Sequence, residues 1–466
     1  MRQVIAALDL GTSKTIALVV QKNYAGELSV FCTETLPSKA TIRRGRVYKL
    51  NETLEIISKL IEKLNGSLPS PLEKIYVGIG GQSLHSQLFI VKRVINGEIV
   101  SQQLLNSMRE EALCSRPEFE DNLGIFSCEY YTDGHLVSNP LGTIATVVEA
   151  RFQLIVGNPC LKRNLDTIFR KGEIAVADYY ISPLATAEAV LTPEEKEKGC
   201  ALVEWGEGVT YVSVYKKKAL KYLATLPLGG LTITKDIRSL NVLENEAEML
   251  KIKYGSALLE LAADGDVPVN EEQNSSRRIE LSELNSIIEA RAEEIIKNVW
   301  NQIQASGYSQ TLEAGIVITG GGALLRNLPK LIQNQTGKEV RLANAKVWDN
   351  QEEIQVSPAN SCVVGLAIMG NENCMKEVVE VQSTIPFEII SDPVRNVQSG
   401  GNVTGKKNKN FKQPKNPATP SVSQEKRPLG EIIKKRLEKF INTGMDEIFP
   451  KTYFESTDNE NDNDNE

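Results

Sequence analysis

The first residues that could do chemistry form a short polar turn near the start of the chain. Asp9 ends an apolar run, and Gly11, Thr12, Ser13 and Lys14 follow it. Backbone N–H groups in a tight glycine turn can converge on an anion, and small side chains let a phosphate approach. The lysine adds a cation, and the aspartate could hold water on magnesium, which prefers oxygen ligands. An ordinary β-hairpin turn explains the same residues, and this turn alone does not decide between the two.

A second turn of the same kind lies near the middle of the chain. Residues 199–215 again show an apolar strand, the acidic Glu204, a glycine turn and another apolar strand. The residues of this turn that could bind phosphate are Gly206, Gly208, Val209 and Thr210. Two such units predict a duplicated fold with a cleft between its halves. If the two turns face one another, they hold a phosphate chain from both sides.

A third turn follows an apolar strand within residues 315–329. Its three glycines, Gly320, Gly321 and Gly322, would let a flat base or a ribose lie close to the backbone. No Walker-type GxxxxGK[ST] segment occurs in the chain. Each turn alone is a weak signal, but three of them in this order and spacing predict a nucleotide site between two lobes.

The elements that must position these turns can be read from apolar periodicity. Residues 4–20 predict two strands around the first turn, and residues 74–81 predict a buried strand that ends in glycines. Helical patterns appear near 51–65 and 281–306. Between the strand at 74–81 and the second turn, residues 84–157 mix short strands with a helix and predict a small α+β insertion.

Composition restricts the possible functions. The chain has 466 residues, 41% of them hydrophobic, and a formal net charge of −7. This length predicts two or more lobes, and the negative charge argues against a general nucleic-acid binder. Seven cysteines without CxxC spacing predict reduced thiols and neither a disulfide frame nor a zinc site. No apolar segment reaches membrane-spanning length, so any membrane contact is expected to be peripheral.

The three turns resemble the phosphate 1, phosphate 2 and adenosine motifs of the actin, Hsp70 and sugar-kinase superfamily. Within it, the chain closely resembles the FtsA family of bacterial cell division proteins over about residues 4 to 370. The segments that carry this resemblance are AALDLGTSK (6–14), VGIGGQSLHS (77–86), DGHLVSNPLG (133–142), SPLATAEAVLTPEEK (182–196), PLGGLTITKDI (227–237), AEMLKIKYG (247–255), IIEARAEEI (287–295) and GIVITGGGALL (315–325).

The resemblance implies an α/β fold of the actin-like, ribonuclease H-like type, duplicated into two lobes, with an FtsA-type 1C insertion. The implied parts are subdomain 1A at 1–83, 158–197 and 359–388, subdomain 1C at 84–157, subdomain 2A at 198–232 and 311–358, and subdomain 2B at 233–310. Beyond them, composition predicts a disordered linker at 389–428, an amphipathic helix at 429–442 and an acidic tail at 443–466.

The resemblance also implies ATP and Mg²⁺ in the cleft. Glu248 and Lys251 would contact the ribose and adenine; without the resemblance, a solvated helix pair is the preferred interpretation of these two residues. Asp9, Glu204 and Glu207 would hold the metal through water. Glu204 stands where the family usually has aspartate, and Glu207 and Val209 replace a glycine and a threonine. The resemblance implies that nucleotide binds. Because of the departures at Glu204 and Glu207, ATP hydrolysis is expected to be slow at most, and no catalytic residue is assigned.

The predicted helix at 429–442 has one apolar face and a basic remainder. Its apolar residues are Leu429, Ile432, Ile433, Leu437, Phe440 and Ile441, and Lys435 is among the basic ones. This pattern is typical of a helix that lies on anionic lipid. Docking of the helix on its own lobe or on a protein partner would give the same pattern, so the residues alone leave both open.

The implied function is an adaptor that anchors the FtsZ ring at midcell to the cytoplasmic face of the inner membrane. Implied partners are the FtsZ C-terminal peptide, further copies of the chain in filaments, anionic lipid, and other division proteins through 1C. Arg291 is a candidate for gripping the FtsZ peptide, and a surface ion pair is its alternative. Rival functions are an actin-like platform for pilus assembly, a small-molecule kinase, and a chaperone ATPase, which would need a β-rich substrate domain.

Overall fold

The computed structural model describes residues 3–117, 119–269, 277–349 and 352–376. Its strands are β1 Gln3–Leu10, β2 Lys14–Lys22, β3 Leu28–Pro37, β4 Ile42–Arg43, β5 Arg46–Val47, β6 Lys74–Ile79, β7 His85–Ile99, β8 Asp121–Thr132, β9 His135–Val137, β10 Ile144–Gly157, β11 Ala175–Ile181, β12 Cys200–Trp205, β13 Thr210–Lys216, β14 Ala219–Leu226, β15 Asp266–Pro268, β16 Arg278–Glu280, β17 Ile316–Thr319, β18 Val340–Leu342, β19 Lys346–Asp349 and β20 Glu352–Gln355. Its α-helices are α1 Leu50–Asn65, α2 Gln102–Cys114, α3 Cys160–Lys171, α4 Ser182–Val190, α5 Pro193–Lys198, α6 Gly230–Ile237, α7 Glu244–Tyr254, α8 Leu281–Ala305, α9 Leu328–Thr336 and α10 Ser361–Met369.

The first lobe is built on a mixed sheet with strand order β11-β6-β1-β2-β3-β19-β20. β1, β2 and β3 form an antiparallel meander, and β6 and β11 add to it in parallel. β1 and β2 are apolar along most of their length because helices cover the sheet, so that Leu8 and Leu18 are fully buried. The meander turns at residues 11–13, which places the first glycine turn at the end of β1.

The second lobe repeats this topology. Its sheet has the order β14-β13-β12-β17-β18, with an antiparallel meander of β12, β13 and β14 and parallel additions of β17 and β18. β12 therefore corresponds to β1, and the second glycine turn lies at the end of β12 as the first lies at the end of β1. The duplicated α/β fold predicted from the sequence echo is confirmed.

Residues between β6 and α3 form a separate unit. β7, β10, β8 and β9 make an antiparallel sheet in that order, and α2 packs on it. The unit has its own core, in which Val91, Met108 and Phe152 are 1%, 0% and 0% exposed. This insertion is an α+β unit, as its mixture of strand and helix patterns predicts.

Side-chain contacts join the insertion to β14, the edge strand of the second sheet. Ser86 Oγ accepts a hydrogen bond from Leu223 N at 2.8 Å. Lys221, whose side chain is 9% exposed, forms an ion pair with Glu129. The insertion leaves the first lobe in sequence and is held to the second lobe by contact, so it bridges both.

The position of β19 and β20 differs from the predicted subdomain boundary. The sequence places residues 311–358 in the second lobe, but β19 pairs with β3 through Trp348 and Ser29 and belongs to the first sheet. Val347 is fully buried in the core of the first lobe. The exposed edge of β3 accepts this hairpin, and such long-range strand pairing has no local sequence signal.

The predicted linker, amphipathic helix and acidic tail, with the seven residues predicted to contact the membrane, lie outside the described residues. Within the described ranges, no helix is both long enough and apolar enough to cross a membrane.

Candidate functional site

A cavity of about 540 Å³ lies between the two sheets and is lined by all three glycine turns. The lining residues that were predicted to bind nucleotide are Gly11, Thr12, Ser13, Lys14, Gly206, Gly208, Val209, Glu248, Lys251, Gly320, Gly321 and Gly322. The three predicted metal carboxylates, Asp9, Glu204 and Glu207, line it too. The three turns come from separate parts of the chain, and the fold brings them to one cavity.

The first two turns have the same internal geometry. Gly11 N donates to Lys14 O at 3.1 Å, and Gly206 N donates to Val209 O at 2.9 Å. A Cβ at Gly11 would lie 2.7 Å from Lys14 O, and a Cβ at Gly206 would lie 2.8 Å from Val209 O. Both positions therefore require glycine, and each turn leaves a tight backbone loop facing the cavity.

The two turns also touch each other across the cleft. A Cβ at Gly208 would lie 2.6 Å from Thr12 Oγ1, which accepts a hydrogen bond from Gly45 N at 3.0 Å. Close by, the hydroxyl of Tyr211 on β13 accepts a hydrogen bond from Gly81 N of the first lobe at 2.7 Å. The lobes are thus in direct contact on the side of the cavity where the two turns meet.

The third turn packs on the end of β12. Gly320 has φ +91°, and a Cβ there would lie 2.5 Å from Trp205 O. A Cβ at Gly322 would lie 2.2 Å from Cδ1 of the buried Trp205 ring. Gly320 and Gly322 are needed because the backbone lies directly on Trp205, whereas a Cβ at Gly321 would meet only Ala359 Cβ at 3.7 Å.

Asp9 and Glu204 lie close to the ends of β1 and β12, and both line the cavity. Burial raises the pKa of Glu204 to about 8, the nearby charge of Asp9 raises it further, and a hydrogen bond with Thr186 opposes the shift. Burial also raises the pKa of Asp9, against a hydrogen bond from Cys362 and the charge of Lys14. Within the described residues, Glu204 Oε2 is buried without a hydrogen-bond partner.

These surroundings fit a hydrated cation. Two buried carboxylates with raised pKa values and an unsatisfied oxygen are stabilised when a positive charge lies between them. In the described part of the chain, no group of three or more His, Cys, Asp or Glu side chains is placed to hold a metal ion. A magnesium ion near Asp9 and Glu204 would therefore keep water molecules and phosphate oxygens as most of its ligands.

Glu207, the third carboxylate predicted for the metal, has different neighbours. Lys39 Nζ of the first lobe lies 3.4 Å from Glu207 Oε1. Burial raises the pKa of Glu207, and the charges that act on it are those of Lys39, Glu248 and Lys251. The Glu207 carboxylate thus forms an ion pair with a lysine of the facing lobe.

Glu248 and Lys251 of α7 form a buried pair. Their side chains are each 11% exposed, and Lys251 Nζ lies 2.8 Å from Glu248 Oε2. Lys251 also donates to Gly230 O at 3.0 Å and to Thr234 Oγ1 at 2.8 Å. Burial alone would raise the pKa of Glu248, but its contacts with Lys251 and Thr234 outweigh burial and lower it. The alternative of a solvated helix pair does not describe these two residues.

Lys14 is the cation of the first turn. Its Nζ donates to Asn360 Oδ1 at 3.0 Å. Burial lowers the pKa of Lys14 to about 8, and the charge of Asp9 opposes this shift. An anion that enters the cavity would favour the charged form of this lysine.

Two predicted residues lie elsewhere. Thr210 is not among the residues that line the cavity, because its buried hydroxyl donates to Leu228 O at 2.8 Å inside the second lobe. Arg291 lies on α8, away from the cavity, and forms ion pairs with Asp236 and with Glu294, the latter at 2.5 Å.

Several lining residues were not predicted. Tyr211 and Trp205 flank the second turn, and their proximity to it was the only available signal. Ser182 and Cys362 begin α4 and α10, and they reach the cavity through the packing of those helices. That packing joins segments about 180 residues apart, so no local pattern in the sequence could have found them.

A family model described as "Cell division protein FtsA" matches residues 201–365. Over 427 residues the chain is 28% identical to the cell division protein FtsA of Porphyromonas gingivalis, and the alignment covers 87% of this chain and 88% of that protein. It is also 28% identical to FtsA of Pseudomonas aeruginosa, over 79% of this chain and 89% of that protein. Among solved structures, a chain of the PilM-PilN type IV pilus biogenesis complex superimposes with a TM-score of 0.55 at 14% identity, covering 78% of this chain and 97% of that one.

The duplicated sheets, the cavity between them and the structural match define an actin-like α/β protein. At 14% sequence identity, the likeness to that solved structure supports the fold alone. The sequence relatives go further, because they align over most of both chains and share one description. The chain is similar over most of its length to proteins described as cell division protein FtsA, and the predicted resemblance is confirmed.

Proposed function

We propose that the chain is an ATP-binding adaptor of the division machinery that anchors the FtsZ ring to the cytoplasmic membrane. The observation that carries the nucleotide part is the convergence of three glycine turns, from two lobes, on one cavity. The division part rests on the similarity to FtsA proteins over most of the chain. A pilus platform is not favoured, since the PilM-PilN likeness extends only to the fold.

ATP would lie with its phosphates between the first two turns. The backbone N–H groups of these turns and the ammonium of Lys14 bind the phosphate oxygens. Asp9 and Glu204 hold water on magnesium, which neutralises phosphate charge when bound. The base lies against the third turn, and Glu248 and Lys251 contact the ribose and adenine from α7. Hydrolysis is expected to be slow at most, since Glu204 and Glu207 replace the aspartate and glycine that FtsA proteins usually have in the second turn.

Calorimetric titration of the full chain tests this half of the proposal. We expect ATP to bind in the presence of magnesium and to bind more weakly when EDTA removes the metal. Lys14→Met should reduce the affinity, whereas Lys59→Met, on the exposed face of α1, should not. No heat of binding with ATP and magnesium would contradict the proposal.

The adaptor half involves four contacts. The second lobe, with Arg291 on α8, is proposed to bind the acidic FtsZ C-terminal peptide, which would have to compete with Asp236 and Glu294 for the guanidinium. The insertion is proposed to contact other division proteins, and further copies of the chain to join as filaments. The segment 429–442 is proposed to lie on anionic lipid at the cytoplasmic face of the membrane, at midcell.

Vesicle co-sedimentation tests the tether. We expect the full chain to pellet with vesicles that contain phosphatidylglycerol and to bring purified FtsZ with it. A chain that ends at about residue 425 should still bind FtsZ and ATP but should stay in the supernatant with it. Neutral phosphatidylcholine vesicles are the lipid control. Equal pelleting of the two chains would contradict the membrane role of 429–442.

A further inference from the structure

The thiol of Cys362 lies beside Asp9 at the edge of the cavity. Its Sγ is 3.3 Å from Asp9 Oδ1 and 3.9 Å from the carbonyl oxygen of Ser182. Cys362 is in the first turn of α10 and is 6% exposed, and Asp9 is close to the end of β1. The contact thus joins the helix that packs on the first sheet to the carboxylate proposed to serve the metal.

Of its two neighbouring oxygens, the thiol proton is expected to go to Asp9. A thiol has one proton to donate, and an ionised carboxylate is a stronger acceptor than a peptide carbonyl. The carboxylate is also the nearer of the two, at 3.3 Å against 3.9 Å for the carbonyl oxygen. A hydrogen bond from the thiol to Oδ1 restrains how the Asp9 carboxylate is turned.

A second observation shows that this corner of the cavity faces a ligand. Glu204 Oε2 is buried there and, within the described residues, lacks a hydrogen-bond partner. The charge of Glu204 acts on Cys362, the neighbour of Asp9. Glu204 and Cys362 both line the cavity. Two carboxylates are thus presented together, one held by a thiol and one with an oxygen left over for a cation or its water.

We propose that Cys362 is a positioning residue, whose thiol holds the Asp9 carboxylate in the orientation that accepts magnesium-bound water. This inference rests on the proposed nucleotide function. It concerns the hydrogen bond from the thiol and involves no covalent step. Outer groups that orient metal-binding carboxylates typically change metal affinity by about 10- to 100-fold when they are removed.

The hydrogen bond itself can be tested without nucleotide. The S–H stretching band of Cys362 is obtained as the infrared difference between the wild type and Cys362→Ala. We expect this band to move to higher frequency when Asp9→Ala removes the acceptor. The band of the buried Cys374, obtained in the same way with Cys374→Ala, should not move, since its thiol lies near Glu372 O. An unchanged Cys362 band would overturn the proposal.

Calorimetry tests the consequence for magnesium. The ratio of ATP affinities with magnesium and with EDTA should fall about tenfold in Cys362→Ala. It should be retained in Cys362→Ser, which keeps a donor, and in Cys374→Ala, which removes a buried thiol elsewhere. Affinities in EDTA should agree among all four proteins, which also shows that the variants fold.

The two experiments separate the possible failures. If the wild type binds no ATP, the proposed nucleotide function fails, and the infrared band still decides whether Cys362 holds Asp9. If the wild type binds ATP but Cys362→Ala keeps the full magnesium dependence, the nucleotide function stands and the positioning role is overturned. Loss of magnesium dependence in Cys362→Ser as well as in Cys362→Ala would also overturn it, because the serine hydroxyl can donate in place of the thiol.

Discussion

Gly208 of the second lobe lies directly on the side chain of Thr12 of the first. A Cβ at Gly208 would approach Thr12 Oγ1 to 2.6 Å and Thr12 Cγ2 to 2.9 Å. Thr12 is fixed in turn, because its hydroxyl accepts the hydrogen bond of Gly45 N. The two glycine turns therefore meet at a contact that leaves no space for a Cβ at Gly208.

Gly208→Ala should force the two turns apart. We expect ATP affinity to fall about tenfold, and the free energy of unfolding to fall by about 1–3 kcal/mol, as for an overpacked site. Calorimetry and urea denaturation measure the two effects. Gly66→Ala is the matched control, because its Cβ would lie 3.5 Å from the nearest atom, an ordinary contact. A Gly208→Ala protein that matches the wild type in both measurements would show that the turns are not in contact.

Two adjacent glycines of the third turn should respond differently to the same change. Gly322→Ala places a methyl group 2.2 Å from the Trp205 ring, whereas at Gly321 the nearest atom is Ala359 Cβ at 3.7 Å. We expect Gly322→Ala to lower the free energy of unfolding by about 1–3 kcal/mol and Gly321→Ala by less than about 0.5 kcal/mol. Urea denaturation followed by tryptophan fluorescence measures both. Equal losses would argue against the packing of the third turn on Trp205.

Glu204 should make the stability of the nucleotide-free protein depend on pH. Its pKa is raised in the folded state from 4.5 to about 8. A raised pKa means that its favourable contribution is complete below 4.5 and is lost as pH rises toward 8. We therefore expect the free energy of unfolding to fall over this interval in the wild type, and to fall less in Glu204→Gln. Urea denaturation in EDTA measures the difference.

The exposed Glu194 supplies the control for that experiment, since Glu194→Gln removes the same charge at the surface. The Glu194→Gln protein should follow the wild-type pH curve. Because the charge of Asp9 acts on Glu204, the difference between Glu204→Gln and the wild type reports the titration of this pair. Parallel curves for Glu204→Gln and the wild type would indicate that Glu204 is already ionised at neutral pH.

The ion pair between Lys39 and Glu207 should show coupling. Their side chains are 32% and 10% exposed, so the glutamate is the more deeply buried partner. Lys39→Met removes the positive charge that pairs with the Glu207 carboxylate. We expect this loss to destabilise the protein by about 1–3 kcal/mol. The double variant Lys39→Met/Glu207→Gln should recover part of this loss. Additive effects in the double-mutant cycle would mean that the two side chains do not interact in solution.

The parts of the site that the sequence predicted are those with a local cause. Gly11 and Gly206 sit in turns whose backbone hydrogen bonds span three residues, so a short window contains the whole requirement. The helix α8 was predicted as 281–306 and runs over Leu281–Ala305, because its apolar residues repeat along one face.

What was missed depends on contacts between distant segments. Cys362 meets Asp9 only because α10 packs against β1, and β19 joins the first sheet only because β3 has a free edge. Glu207 was expected to serve the metal through water, and its ion pair with Lys39 of the other lobe could not be predicted from its place in the turn. Thr210 belongs to the predicted turn, yet its hydroxyl is used within its own lobe.

The insertion has a mechanical consequence. It is tied by the chain to one half of the molecule and by Ser86 and Lys221 to the other. The two lobes can separate only if these contacts break or if the insertion moves together with β14. A protein that binds the insertion would therefore favour or oppose movement of the two lobes. Binding of a partner to the insertion and binding of a ligand in the cleft would then change each other's affinity.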